Sequence, residues 1–298
     1  AHSMGEMCLQ EGDEIIITEM EHHSNIVPWQ MVQARFKAQL KVVPFLDNGE
    51  LDLQAYKKLL SSRTKIVAIT HMSNTLGTIN PIKEMIALAL VYSAKVLIDA
   101  AQSIAHIPID VQDLNVDFLV FSGHKMYGPT GIGVLFGKKR WLEEMPPFEG
   151  GGDMIETVTF EQTTYNIPPM KFEAGTPIIA GVIGLGAAVD FISTIGIDAI
   201  RTHEDKLYQY LVEQLRSIPQ VTILGQAVHK GPLATFVTRD IHPLDIATMV
   251  DLEGVAIRSG HLCAQPTMRH FRIPAAARIS LACYNTLADI DCFAAALK

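Results

Sequence analysis

The chain has 298 residues, of which 48% are hydrophobic and 19% charged, and its net charge is -8. This composition excludes a disordered chain and predicts a large core divided over more than one domain. The acidic balance argues against a nucleic-acid partner, which requires a basic surface. No apolar run reaches the ~18 residues that predict a membrane span, so no membrane partner is expected.

Four cysteines, Cys8, Cys263, Cys283 and Cys292, are scattered along the chain without a C-x-x-C pair. That spacing argues against a structural zinc site. No secretory signal is visible, so we expect a reducing, cytoplasmic setting.

Short β-branched runs alternate with helical segments in the first half of the chain. The predicted strands are, in order, EIIITEM, KVVPF, KIVAITHM, KVLIDAA, FLVFSG and GIGVLFG. Most are apolar throughout, which is typical of a parallel sheet covered on both faces. The segments NIVPWQMVQARFKAQ and PIKEMIALALVYSA have helical spacing. The alternation predicts a layered α/β domain.

The pattern changes near Gly181, where the small-residue helix GVIGLGAAVDFISTIG precedes the amphipathic helix DAIRTHEDKLYQYLVEQLRSI. Predicted strands VTILG, LATFVTR, VAIRSG and ARISLACY follow, with a helix in PLDIATMVDLEG. We therefore predict a large domain over residues 1–190 and a smaller α+β domain over residues 191–298.

Four predicted strands end in polar residues, and ligands of open α/β sheets bind at such carboxyl ends. These ends are Glu21-His22-His23, Ser73-Asn74, Asp99 with Gln102, and Ser122 with His124 and Lys125. Taken singly, each has a plainer interpretation: a helix-capping aspartate, a solvated lysine or a turn serine. The two adjacent histidines suggest a metal, but no third ligand has a suitable spacing, so no metal is predicted.

Together these residues match the chemistry of pyridoxal phosphate. A lysine holds the cofactor aldehyde as a Schiff base, and an aspartate keeps the pyridine nitrogen protonated so that the ring accepts electrons. Asp99 and Lys125 are separated by room for one crossover connection, so neighbouring strand ends can carry both.

The chain resembles the class V, fold-type I pyridoxal phosphate enzymes, in particular the group II, SUF-type cysteine desulfurases and selenocysteine lyases. The resemblance covers nearly the whole chain and rests on MEHHSNIVPWQ, THMSNTLGT, LIDAAQ, FSGHKMYGPTGIG, FEAGTP, RSGHLCAQP and ARISLACYNT. It implies a fold-type I transferase, with a mostly parallel sheet, helices on both faces and a smaller C-terminal α+β domain.

By this resemblance, Lys125 carries the cofactor and acts as general base, Asp99 pairs with the pyridine nitrogen, and His22 stacks on the ring. Further cofactor contacts are implied for Asn74, Gln102, Ser122, His124 and Thr176. Thr176 would reach the site of the partner subunit in a homodimer. Substrate contacts are implied for Arg278, Arg258 and Asn74.

Cys263 lies in the loop RSGHLCAQP, whose residues are compatible with turns. A buried core cysteine is the usual alternative, and Cys283 in ISLACY fits it better. Arg258 and His261 are expected to favour the Cys263 thiolate. The resemblance implies that Cys263 takes sulfur from the substrate as a persulfide. Leu262 stands where relatives often have a second histidine.

The predicted function is conversion of L-cysteine to L-alanine, with the sulfur passed to an acceptor or scaffold protein for iron–sulfur cluster assembly. The alternatives are a selenocysteine lyase acting on L-selenocysteine and a truncated, inactive paralogue serving as a dimerisation or scaffold subunit. Family members carry a section before the point matching Ala1, with a Thr-Thr phosphate-binding turn and dimer contacts. We therefore expect the large domain to be N-terminally incomplete in this chain.

Overall fold

The computed structural model describes all residues from 1 to 298. Its larger sheet has six strands in the order β2-β1-β3-β4-β5-β6. These are β1 (Glu14–Thr18), β2 (Gln39–Val43), β3 (Thr64–Thr70), β4 (Lys95–Asp99), β5 (Phe118–Ser122) and β6 (Gly133–Gly137). The first five run parallel, and β6 runs antiparallel to β5. All six predicted strands are confirmed, as is the mostly parallel sheet.

Helices cover both faces of this sheet. They are α1 (His2–Cys8), α2 (Val27–Phe36), α3 (Leu53–Leu59), α4 (Ile82–Val91), α5 (Val111–Leu114) and α6 (Lys139–Glu144). Successive side chains of a strand point to opposite faces. Accordingly, Ile16 and Val67 belong to one buried cluster, whereas the adjacent Ile17 and Ile66 belong to another. The uniformly apolar strand sequences follow from this double burial.

The strand β6 departs from the prediction that the run GIGVLFG is buried. Val134 and Leu135 are 37% and 47% exposed. β6 is the edge strand of the sheet, and no element of this chain covers these two side chains. An apolar sequence predicts an apolar surface, but it does not show whether another part of the same chain covers that surface.

The C-terminal part holds an antiparallel sheet in the order β11-β12-β10-β9, preceded by a hairpin and two long helices. The strands are β7 (Ile155–Val158), β8 (Thr163–Tyr165), β9 (Val221–Leu224), β10 (Leu233–Thr238), β11 (Arg258–Gly260) and β12 (Ala276–Ser280). The helices are α7 (Ile179–Ile195), α8 (Ile197–Arg216), α9 (Pro243–Leu252), α10 (Gln265–His270) and α11 (Leu287–Leu297). The predicted strands and helices of this part are confirmed, while the domain boundary at residue 190 stays a prediction.

The helices α7 and α8 are separated by Gly196, whose φ of 88° ends the first of them. No single helix of the chain is long and apolar enough to cross a membrane. The two helices meet that test only when taken together across a bend of 75°.

The loop that follows β3 is fixed by the antiparallel sheet. The N–H of Gly231 donates to the carbonyl of Gly77 at 2.8 Å, and the Thr235 hydroxyl donates to the carbonyl of Thr75. The buried ammonium of Lys230 donates to the carbonyls of Leu76 and Gly225. This docking places Asn74 between the two sheets.

Candidate active site

The carboxyl ends of β1, β3, β4 and β5 form one edge of the large sheet, which we call the cofactor edge. The sheet register pairs Thr70 with Asp99 and Asp99 with Val120, so β3 and β4 end level and β5 continues two residues further, to Ser122. A short 3₁₀ turn at Gly123–Lys125 follows β5. A side chain at Gly123 would lie 2.8 Å from Ile132, so this tight return requires glycine. The turn brings Lys125 back to the edge beside Asp99.

Lys125 is half-buried and forms no hydrogen bond or ion pair within the chain. Burial lowers the pKa of its ammonium, and the Asp99 carboxylate opposes that shift. Arg278 lowers the Lys125 pKa further, while Cys263 opposes the shift as well. These groups come from distant parts of the sequence, and their charges act on one amine. The structure therefore gathers Asp99, Arg278 and Cys263 around Lys125.

The side chains of Gln102, Ser122 and His124 also form no hydrogen bond within the chain. Asp99 accepts one bond, from the N–H of Ala101 to Oδ1 at 2.8 Å, which leaves Oδ2 free. His124 is exposed, but half-buried polar groups usually have partners, so the unpaired Lys125, Gln102 and Ser122 indicate a ligand site. Its chemistry fits pyridoxal phosphate: an amine for the aldehyde, a carboxylate for the ring nitrogen, and donors for the phosphate.

The ring of His22 is fixed at the end of β1. Its Nδ1 accepts a hydrogen bond from the N–H of Ser24 at 3.1 Å. Burial lowers the His22 pKa, Lys125 adds to the shift, and Asp99 opposes it. A neutral ring beside the cofactor edge is therefore favoured, which suits a group that stacks on an aromatic ring.

Beneath His22 lies Glu21, which is fully buried. Its carboxylate accepts from the Thr18 hydroxyl at 2.6 Å, the Asn25 amide at 2.7 Å and the N–H of Thr70 at 3.0 Å. Burial raises the pKa of Glu21 to about 8, against the effect of these three donors. Because its partners lie on β1, β3 and the turn after β1, Glu21 fixes the backbone that carries His22.

Arg278 reaches the site from the antiparallel sheet, where it pairs in register with Arg258. Burial lowers its pKa, and Arg258 adds to the shift. One terminal nitrogen, Nη1, donates to the carbonyl of Asn74 at 2.7 Å, while the buried Nε has no partner. An arginine held on one side with an unpaired donor on the other suits a carboxylate ligand.

The segment 261–265, which we call the Cys263 loop, is bonded to the cofactor edge at three points. The N–H of His23 donates to the carbonyl of Cys263 at 2.8 Å, and the N–H of Gln265 donates to Nε2 of His23 at 3.1 Å. The Asn74 amide donates to the carbonyl of Leu262 at 2.7 Å. Asn74 therefore contacts both the Cys263 loop and Arg278.

The backbone of this loop is unusual, because Leu262 and Cys263 have φ values of 54° and 53°. Two successive residues other than glycine in the left-handed region are rare and costly. Nδ1 of His261 accepts from the N–H of Cys263 at 3.2 Å, so this nitrogen supports the backbone of the loop. The half-buried Cys263 and three further cysteines are all free thiols.

The predicted site residues do not all meet. Thr176 is exposed and forms no hydrogen bond to the others. His23, which the sequence places at a polar strand end and in a histidine pair, binds the Cys263 loop, and no group of three or more potential ligands is arranged to hold a metal ion. The contacts of His23 lie up to 242 positions away, so no local pattern could have indicated them.

The chain is similar to known proteins along its whole length. The family described as aminotransferase class-V matches residues 1–293. A probable cysteine desulfurase of Halalkalibacterium halodurans is 51% identical over 298 residues, which cover all of this chain and 73% of that protein. A cysteine desulfurase of an Enterobacter species is 50% identical, with coverage of 100% and 73%.

Solved structures agree with these matches. The cysteine desulfurase CsdA of Escherichia coli superposes with a TM-score of 0.95 at 36% identity, covering 99% of this chain and 75% of that one. The apo cysteine desulfurase of Thermococcus onnurineus gives 0.94 at 35% identity, with the same coverage. The fold-type I architecture is thereby confirmed. The chain therefore belongs to the class V aminotransferase family of pyridoxal phosphate-dependent enzymes, and its relatives there are cysteine desulfurases.

Proposed function

We propose that the chain is a cysteine desulfurase in which Lys125 carries the cofactor and Cys263 takes the sulfur from L-cysteine. One observation carries this assignment: Lys125 and Asp99 at the cofactor edge lie close to Arg278 and to the Cys263 loop, which His23 and Asn74 bond to that edge. An aspartate beside an unpaired lysine suits the cofactor, and a free thiol at the same amine suits a sulfur acceptor. Relatives of about 50% identity named cysteine desulfurase support the same activity.

Arg278 and Arg258 bind the substrate. The carboxylate of L-cysteine binds the Arg278 guanidinium on the side where Nε is unpaired, with Arg258 adjacent on β11. Asn74 holds the opposite side of the Arg278 fork through its backbone carbonyl. This arrangement orients the amino acid with its Cα toward Lys125 and its thiol toward the Cys263 loop.

The chain's own groups then move protons at Cα and transfer one sulfur atom. When bound, pyridoxal phosphate supplies an electron sink, which Asp99 sustains by keeping the ring nitrogen protonated. Lys125 removes the proton from the substrate Cα, a role that its lowered pKa favours. The Cys263 thiolate attacks the substrate sulfur, and the electrons of the broken C–S bond stay on carbon. The Cβ that loses sulfur takes up a proton, Cα takes back the proton held by Lys125, L-alanine leaves, and Cys263 retains the sulfur as a persulfide.

The proposal includes a homodimer in which Thr176 approaches the phosphate of the partner subunit's cofactor. Exposed apolar side chains support an interface at this end of the molecule. Ile179, Val182 and Ile183 on α7 are 60%, 51% and 70% exposed. Pro129, from the loop after Lys125, lies against Gly184 of the same helix. Large exposed apolar patches mark interaction surfaces.

The proposal further includes delivery of the Cys263 sulfur to an acceptor or scaffold protein of iron–sulfur cluster assembly, in a SUF-type system of the cytoplasm. The resemblance of the motifs to group II enzymes supports this role. All four cysteines are free, which suits a reducing compartment.

The test is to add pyridoxal phosphate and L-cysteine and to measure the visible absorbance of bound cofactor together with alanine and persulfide. We expect a yellow protein that forms alanine and carries its persulfide on Cys263. An inactive scaffold subunit would form no alanine with bound cofactor. A selenocysteine lyase would release alanine from L-selenocysteine and very little from L-cysteine.

A further inference from the structure

A groove of about 470 Å³ opens beside the Cys263 loop, outside the substrate site. Its walls include His261, Gln265, Met268, Arg269, Arg272 and Ile273, and we call it the basic groove. Two of these residues belong to the Cys263 loop itself. His261 accepts from the N–H of Cys263, and Gln265 donates its N–H to His23. Cys263, the proposed sulfur carrier, therefore lies in a loop whose flanking residues line the groove.

The groove concentrates positive charge on an acidic protein. Arg269 and Arg272 are exposed and form no ion pair, and the same is true of Arg258 on the adjoining strand. The neighbouring His270 differs, because it faces Glu19 at 3.1 Å and Asp47 at 3.6 Å. Neither of these carboxylates lines the groove.

The two groove arginines occupy one turn of backbone. The N–H of Arg272 donates to the carbonyl of Arg269 at 3.0 Å, and the φ of 57° at Arg272 ends that turn. Like charges three positions apart repel each other, and no carboxylate of the chain relieves this pair. Buried Met268 and half-buried Ile273 give the groove an apolar base. This combination fits a polypeptide segment with carboxylates along one side.

We propose that the basic groove docks an acidic, cysteine-bearing segment of the sulfur acceptor. This inference rests on the proposed function, because it requires a persulfide on Cys263. The acceptor thiolate attacks the outer sulfur of that persulfide, and the bond between the two sulfurs breaks. Cys263 leaves as a thiolate, and the acceptor becomes the persulfide. One S–S bond is exchanged for another, so no oxidant or reductant is needed.

The experiment uses the holoenzyme loaded with persulfide from L-cysteine and freed of excess substrate. The probes are three blocked pentapeptides with a central cysteine flanked by glutamate, glutamine or lysine. Transfer is followed by mass spectrometry as loss of persulfide from Cys263 and its gain by the peptide. We expect the glutamate peptide to react about tenfold faster than the glutamine peptide at low salt, with the difference shrinking as salt is added.

Arg269→Glu/Arg272→Glu should invert the order, so that the lysine peptide reacts fastest. Arg269→Gln/Arg272→Gln should abolish the preference for the glutamate peptide. This neutral variant also controls for a folding defect in the glutamate variant. Lys206→Glu/Arg216→Glu, on α8, makes the same change in net charge away from the groove and should keep the wild-type order. Equal rates for the three peptides on the wild type, or a wild-type order in the arginine variants, would overturn the proposal. Failure of the proposed function is distinct, because Cys263 would then carry no persulfide before any peptide is added.

Discussion

At the cofactor edge, the strands of the sheet fix the backbone, and the polar side chains have no partners within the chain. In the Cys263 loop, by contrast, the backbone is fixed by hydrogen bonds from residues outside the loop. The side chains of Lys125, Ser122 and Gln102 form no hydrogen bond within the chain, although each residue lies at or just after the end of a well-paired strand. Cys263 instead lies in a left-handed stretch whose bonds to the edge come from His23 and Asn74.

The free energies of backbone strain and of hydrogen bonding show how stable the Cys263 loop is in its docked position. Each left-handed residue other than glycine costs about 1–2 kcal/mol, and each neutral hydrogen bond contributes about 1 kcal/mol net. Two such residues and three bonds to the edge therefore nearly balance in the Cys263 loop. The loop position is thus sensitive to the loss of a single bond, while the strands of the cofactor edge are not. Such a balance suits a cysteine that must reach the substrate first and the sulfur acceptor afterwards.

The largest effect is expected at the amine of the cofactor edge. Lys125→Ala should reduce turnover by at least ~10³-fold, because it removes both the covalent attachment and the general base. Borohydride reduction of the wild type should fix the cofactor to Lys125, which peptide mapping detects. Lys230 of the wild type is the internal comparison, because its buried ammonium also has a lowered pKa, of about 8, but is bonded to carbonyls and should stay unlabelled. Labelling of Lys230 or any other lysine contradicts the assignment.

The loop cysteine should affect the two substrates differently. Cys263→Ala should lose activity on L-cysteine while keeping much of its activity on L-selenocysteine, because selenium leaves carbon more easily than sulfur. Cofactor binding should persist, since Lys125 and Asp99 are unchanged, and mass spectrometry should find no persulfide. Desulfuration of L-cysteine at the parent rate, or a parent persulfide on another cysteine, would show that the loop does not carry the sulfur. Cys283→Ala is the control, and it should leave the Cys263 persulfide intact.

A smaller effect is expected at the carboxylate. Asp99→Asn keeps an oxygen for the N–H of Ala101 but loses the charge, so cofactor should still bind while kcat falls by about 10². The measurement is kcat at saturating cofactor together with the absorbance spectrum. A fall of less than about threefold, or roughly 0.7 kcal/mol of barrier, excludes the role in protonating the ring nitrogen.

The contrast between the two regions also explains what the sequence could predict. Asp99 and Ser122 end uniformly apolar runs, so their place at one edge follows from strand pattern and topology. The contacts of His23 and Asn74 with the Cys263 loop do not, because they join residues up to 242 positions apart. The exposure of β6 was predicted wrongly, since an apolar sequence gives no information about what covers it. The fold and the cofactor edge can thus be predicted from local sequence patterns, whereas the docking of the Cys263 loop cannot.

Among side chains that only position others, His23 should have the clearest effect. His23→Leu removes the acceptor for the N–H of Gln265 but keeps the backbone donor to Cys263, so about one hydrogen bond is lost. Single-turnover persulfide formation should slow by about tenfold at unchanged cofactor affinity. His23→Gln offers an oxygen at a similar reach and should restore most of the rate. Equal rates for Leu and Gln, or a parallel loss of cofactor, would mean that the bond does not hold the loop.

The pH dependence of the same contact gives the smallest effect. Burial lowers the pKa of His23 below its ordinary 6.5, and His261 adds to the shift. The docked loop therefore binds the His23 proton more weakly than an undocked loop, and docking is intact above pH 6.5 and weakens as the pH falls through the docked-state pKa. Persulfide formation should decline by less than about tenfold per pH unit below 6.5. His22 and Lys125 also titrate near the site, so His23→Gln is the comparison: it retains their contributions and should show a flatter decline. Superimposable pH profiles for the two proteins would place the acid sensitivity at the cofactor edge and not in the Cys263 loop.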